Sequence, residues 1–134
     1  MRIWADEQEV EGHYILAVAT NIRHYMGGLS NLSPDAYIND GLLDLWLFRG
    51  NNLGDALRHA YELWRGTHVT SDAAHHITFR SLRVEADSPY WVQTDGEARG
   101  STQVAEIRVQ THVLKLLMPP RGMDLLRNSS LQGN

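Results

Sequence analysis

The sequence predicts a mainly β chain: an antiparallel β-sandwich, or flattened barrel, with one inserted helix. Three observations carry this. Residues 81–87 and 104–111 alternate apolar and polar with period two. Residues 13–19 and 42–48 are apolar on both faces. One stretch, 53–64, switches to helical spacing. Short strands joined by turn residues, with one helix between two of them, favour a sandwich or barrel.

Taken in chain order, residues 13–19 (H-Y-I-L-A-V-A) and 42–48 (L-L-D-L-W-L-F) read as deeply buried strands. Leu53, Leu57, Ala60, Tyr61 and Trp64 form a helical stripe that is expected to face the core. Asn52 is placed to cap that helix and Gly66 to end it. In residues 81–87, Leu82, Val84 and Ala86 share one face. In residues 104–111, Ala105, Ile107 and Val109 do the same. Residues 113–118 are expected to add a last strand, stopped by Pro119-Pro120. The total is at least six strands and one helix. Residues 1–122 form one domain and 123–134 a polar tail.

Composition narrows the function. A chain of 134 residues is one domain by size. A formal charge of −4 argues against nucleic acid as a partner. The absence of Cys excludes disulfides, thiolate catalysis and Cys-ligated metals. No run approaches the roughly 20 apolar residues of a membrane span. The charged first eleven residues do not read as a secretory signal, so a cytoplasmic location is expected.

Three segments are candidates for chemistry. The loop around Gly27-Gly28 allows close backbone approach to a phosphate or partner, or is a plain turn. Residues 34–44 hold Asp35, Asp40 and Asp44. They could offer oxygen ligands to a hard cation. Equally, Asp40-Gly41 is an ordinary turn pair and Asp44 a solvated strand residue. Residues 93–97 read Q-T-D-G-E. Glu97 could accept a proton from a substrate hydroxyl, or the segment is a hairpin turn with two solvated acids. The seven His residues form no ligand set, and His68 and the His75-His76 pair read as surface or capping residues. Trp46 and Trp64, on strand and helix stripes, are assigned to the core.

Ordered along the chain, these motifs resemble a known family. The order is G-G-x-x-x-L-S-P-D-A-x-x-N-D-G-L-L-D, then W-R-G-T-H, then Q-T-D-G-E, then I-R-V-x-x-x-V-L-K-L-L-M-P. It resembles the C-terminal domain of the bacterial diacylglycerol kinase-type lipid kinases. That superfamily includes sphingosine and ceramide kinases and is distantly similar to NAD kinases. The resemblance implies a β-sandwich facing a separate N-terminal nucleotide-binding domain, whose G-G-D-G-T loop is absent here. It implies ATP-dependent phosphorylation of a lipid hydroxyl, with Glu97 as proton acceptor. Asp95 is expected to be the second catalytic acid, either supporting that turn or helping to hold a catalytic magnesium through water. It implies a structural magnesium held by the Asp40 carboxylate and the backbone carbonyls of Tyr37 and Leu42. On this reading the partners are a lipid substrate and the missing kinase domain, with peripheral membrane contact. The face left bare by that domain is expected to favour a homo-oligomer. The chain alone is expected to be inactive. The alternative is a stand-alone, non-catalytic module that binds a lipid or a partner.

Overall fold

A computed structural model describes residues 1–25, 30–119 and 126. The Gly27-Gly28 loop and, apart from residue 126, the tail lie outside the described residues. The elements in chain order are β1 (Arg2–Ala5), β2 (Gln8–Val10), β3 (Tyr14–Thr20), β4 (His24–Tyr25), β5 (Ser30–Asn31) and β6 (Leu43–Arg49). Then come α1 (Leu53–Arg65), a 3-10 turn (Thr67–Thr70), β7 (Ala74–Phe79), β8 (Ser81–Thr94) and β9 (Glu97–Arg108). One antiparallel sheet has the order β2-β1-β8-β9 and a second the order β3-β6-β7; β4 and β5 form a short ladder. The sheets do not close into a barrel. The predicted sandwich with one helix is the fold observed.

The core follows from β6. Its residues Asp44 to Phe48 are all buried. Alternation sends Leu45 and Leu47 to one face and Asp44, Trp46 and Phe48 to the other. Leu45 and Leu47 meet Ile3, Ala5, Leu82 and Val84 of the four-stranded sheet, with Tyr14 and Phe79. Trp46 and Phe48 meet Leu32, Val18, Leu63 and Ala74 under the helix. A strand covered on both faces is largely apolar, which is why 42–48 shows no polar alternation and holds one charged residue, Asp44.

Helix α1 starts and stops as expected. The Asn52 side chain accepts from the Asp55 N–H, and Gly66 ends the helix at φ 69°. Its orientation differs from the expectation. Leu53, Leu57, Tyr61 and Trp64 are exposed, and the buried residue is His59. The stripe therefore faces away from the core, and Trp64 is not a core residue. One bond ties His59 inward: Nε2 donates to the Arg49 carbonyl at 2.6 Å, while Nδ1 lies 3.3 Å from Glu62 Oε2 on the same helix. Leu63 supplies the apolar contact on that side.

Other expectations also change. Residues 113–118 form no strand. Val113, Leu114, Leu116 and Leu117 are exposed, because an apolar run becomes a strand only where a sheet edge receives it. β3 is half-buried rather than deeply buried, since it lies at the edge of its sheet. Ile107 is partly exposed for the same reason on β9. Asp44 is buried and not solvated, and His68 is buried and not on the surface.

The N-terminal hairpin β1–β2 had no clear sequence signal. It turns on Asp6 and Glu7, at φ 48° and 69°, a region that disfavours non-glycine residues. Asp6 Oδ1 holds the turn by accepting the backbone N–H of Arg80 and of Ser81, each at 2.8 Å. Those bonds, that of Ser81 foremost, hold the Asp6 carboxyl below its usual range. A depressed folded pKa stabilises the fold above the unfolded value and loses that effect as pH falls through the folded value. The stability advantage of the wild type over Asp6→Asn should therefore shrink as melts are repeated from pH 7 down to about pH 3. Phe48 is fully buried, so Phe48→Ala should lower unfolding free energy by about 3–5 kcal/mol. Leu57→Ala, on the outward stripe, should change it by no more than about 0.5 kcal/mol in the same denaturant titration.

Candidate functional site

The first candidate segment leads into β6. Arg23 organises it from below: its Nε donates to the Ala36 carbonyl at 2.9 Å, and its guanidinium lies 4.9 Å over the Tyr37 ring. Asp40 Oδ1 accepts the Leu42 N–H at 3.0 Å, an Asx turn. Gly41 sits at φ 73°, and a Cβ there would come within 3.0 Å of Thr111 Cγ2. Glycine is needed at 41 both for the φ and for that close approach. The Asp40 carboxylate and the Leu42 carbonyl belong to this turn and the Tyr37 carbonyl lies three residues before it; all three are hard oxygen donors. That donor set suits a hard cation such as magnesium. Among the described residues, no three His, Cys, Asp or Glu side chains converge as a metal group.

The second candidate is the tip of the β8–β9 hairpin. β1 pairs β8 only from Leu82 to Glu85. Beyond a register shift, the ladder resumes at Tyr90↔Thr102 and runs to Thr94↔Glu97 as a two-stranded arm. Arg83 bonds Glu85 and Glu106 across its base. Tyr90 donates to the Val84 carbonyl, and burial pushes its phenol up, so it remains a donor. The tip turns through Asp95 (φ 51°) and Gly96 (φ 85°). Two positive φ values match the twist of the strands, as in a type I′ hairpin. Glu97 is the first residue of β9, its side chain 73% exposed and 3.2 Å from Arg99 Nη2. Its carboxylate, next to the two-residue turn, is open to solvent.

Asp95 and Glu97 thus share one turn, and Asp40 and Leu42 share another. The two turns lie at different ends of β9. Glu97 begins that strand, whereas the Asp40 turn lies beside Thr111, just past its end. A strand of 12 residues is roughly 40 Å long when extended. The two turns therefore lie at opposite ends of β9.

One cluster was not expected. Asp44 Oδ1 and His76 Nε2 are 2.5 Å apart. Trp46 opposes His76 across the β6–β7 ladder and stacks on it at 4.5 Å. Trp46 Nε1 donates to Ser33 Oγ at 2.9 Å. The edge of Trp46 meets His68, whose Nε2 donates to the Leu32 carbonyl at 2.8 Å. Beside these lies a cavity of about 240 Å³ bordered by Ser33, Asp35, Trp46, Val69 and His76. The one available signal was Asp44 on the same strand face as Trp46 and Phe48. An acid on an apolar face calls for a buried partner.

Comparison with known proteins fits this geometry. Residues 1–118 match the family described as YegS C-terminal NAD kinase beta sandwich-like domain. The chain is 25% identical over 114 residues to a diacylglycerol kinase of Bacillus subtilis (strain 168), covering 85% of this chain and 37% of that protein. It is similar in structure to a diacylglycerol kinase from Bacillus anthracis str. Sterne, with a TM-score of 0.59 and 24% identity, over 81% of this chain and 37% of the other. A further structure from the same organism gives a TM-score of 0.62 at 25% identity, over 82% of this chain and 36% of the other. The chain thus spans little more than a third of the length of these relatives. With the match running across both sheets and the helix, the chain belongs to the YegS C-terminal NAD kinase beta sandwich-like family, the C-terminal domain of diacylglycerol kinase-like proteins.

Proposed function

We propose that this chain is the substrate-side domain of an ATP-dependent lipid kinase acting on a lipid hydroxyl such as that of diacylglycerol. The observation that carries the reading is the family match over residues 1–118, with the D-G-E turn intact inside it. In this reading residues 1–122 are the β-sandwich domain and 123–134 a polar tail. The nucleotide is held by a separate domain, for which the longer relatives have room.

Glu97 accepts the proton of the lipid hydroxyl as its oxygen bonds to the γ-phosphorus and the bond to departing ADP breaks. Asp95 supports the turn that aims Glu97. The exposed arm gives the second domain a surface to close upon, and closure removes water from around the carboxylate. Asp40, with the Tyr37 and Leu42 carbonyls, would hold magnesium. Bound there, the ion supplies stiffness to the entry into β6. The lipid substrate brings the working enzyme to a membrane surface. No helix among the described residues is long and apolar enough to cross one.

Two measurements test this. Mixed with the nucleotide-binding domain of a related kinase, the chain should transfer labelled phosphate from ATP to diacylglycerol. Glu97→Gln should lower that turnover by roughly 100-fold or more while nucleotide affinity holds. Undiminished turnover in the variant removes Glu97 from the chemistry. No transfer by the wild-type mixture favours the non-catalytic module. Separately, magnesium should raise the melting temperature of the chain, and Asp40→Ala should abolish that rise. An equal rise in the variant would place the ion elsewhere.

A further inference from the structure

Helix α1 presents its apolar side to solvent. Leu53, Leu57, Tyr61 and Trp64 are 76, 64, 55 and 59% exposed. They recur at i, i+4, i+8 and i+11, so they form one continuous stripe. Four such side chains make a patch of several hundred Å², on the order of the largest on ordinary monomers and often functional. The outward orientation is built in. His59 is fully buried and tied to the Arg49 carbonyl, its ring 5.2 Å from that of Phe48. Both helix ends are capped.

The charges of the helix are sorted about the stripe. With 3.6 residues per turn, Arg58 and Arg65 fall along one border of it. Glu62 and Asp55 fall on the side turned toward the protein. Glu62 is occupied with His59 and Arg58, its side chain 18% exposed, and Asp55 accepts the Asn51 N–H at 3.0 Å. Arg58 is 51% exposed at its side chain. Arg65 lies over the Tyr61 ring at 5.8 Å, and Tyr61 and Trp64 sit side by side at 6.0 Å. Leucines, a Tyr–Trp pair and bordering arginines together match the chemistry of a lipid interface, with its acyl boundary and anionic phosphates.

We propose that α1 is a docking element for the surface of a bilayer containing anionic phospholipid. Leu53, Leu57, Tyr61 and Trp64 enter the headgroup–acyl boundary, and Arg58 and Arg65 meet the phosphates. The choice of a lipid surface rests on the lipid-kinase reading above. In an α1-to-α1 contact a second copy is less suitable, because Glu62 and Asp55 are turned inward and leave the arginine border unmatched.

The test is flotation of the 134-residue chain with vesicles of phosphatidylcholine alone and of equal parts phosphatidylcholine and phosphatidylglycerol. The wild type should float with the anionic vesicles, with a blue-shifted Trp emission. Leu57→Glu with Trp64→Glu should lower binding roughly tenfold or more. Arg58→Gln with Arg65→Gln should erase the preference for phosphatidylglycerol and flatten the salt dependence. Trp91→Ser, on the hairpin arm, should bind as the wild type does. Wild-type binding by the Leu57–Trp64 double variant overturns the proposal, as does absence of wild-type binding. So does a wild-type dimer that this variant converts to monomer, which would make a second copy the occupant. Failure of phosphoryl transfer with intact flotation would count against the kinase reading and leave α1 standing. The reverse outcome would remove α1 alone.

Discussion

Everything in this fold leans on the burial of β6 on both faces. Leu45 and Leu47 close the space between the sheets, while Trp46 and Phe48 close the space beneath the helix. A strand in that position cannot alternate with polar residues, and it must find a partner for any polar group it carries. Asp44 is that group, and His76 meets it from the neighbouring strand. Trp46 then stacks on His76, bonds Ser33 and presses on His68. One strand thereby orders the connection before it, the strand beside it and the 3-10 turn after the helix.

The two turns singled out for chemistry hang from this centre in different ways. The Asp40 turn is the immediate entry to β6 and is packed against Thr111. The Asp95-Gly96 turn is remote, at the end of an arm that β1 has ceased to cover. The Asp40 turn is half-buried, and the chain becomes fully buried only from Asp44 onward. The Glu97 side chain stands largely in solvent at the end of that arm.

Helix α1 shows how a local pattern can be read correctly and placed wrongly. Its extent, its cap at Asn52 and its end at Gly66 follow from side-chain and backbone chemistry within a few residues. Its amphipathicity is equally plain. Which side meets the protein was set by His59 reaching the Arg49 carbonyl, a contact between a helix and the strand before it. The face of α1 that meets β6 is the one carrying His59, 5.2 Å from the Phe48 ring, and Leu63, which packs on the Trp46–Phe48 cluster.

By itself the sequence determined what short-range physics controls: strand and helix periodicity, the caps, the Asp-Gly hairpin turn, the largely apolar β6 and the order of motifs that marks the family. Only the tertiary structure decided what depends on long-range partners. It paired Asp44 with His76, buried His59 and His68, turned the α1 stripe outward, and left residues 113–118 without a strand. The physical reason is common to all four. Periodicity says that a face is apolar or an acid is out of place, but hydrogen-bond partners and free sheet edges come from residues far along the chain.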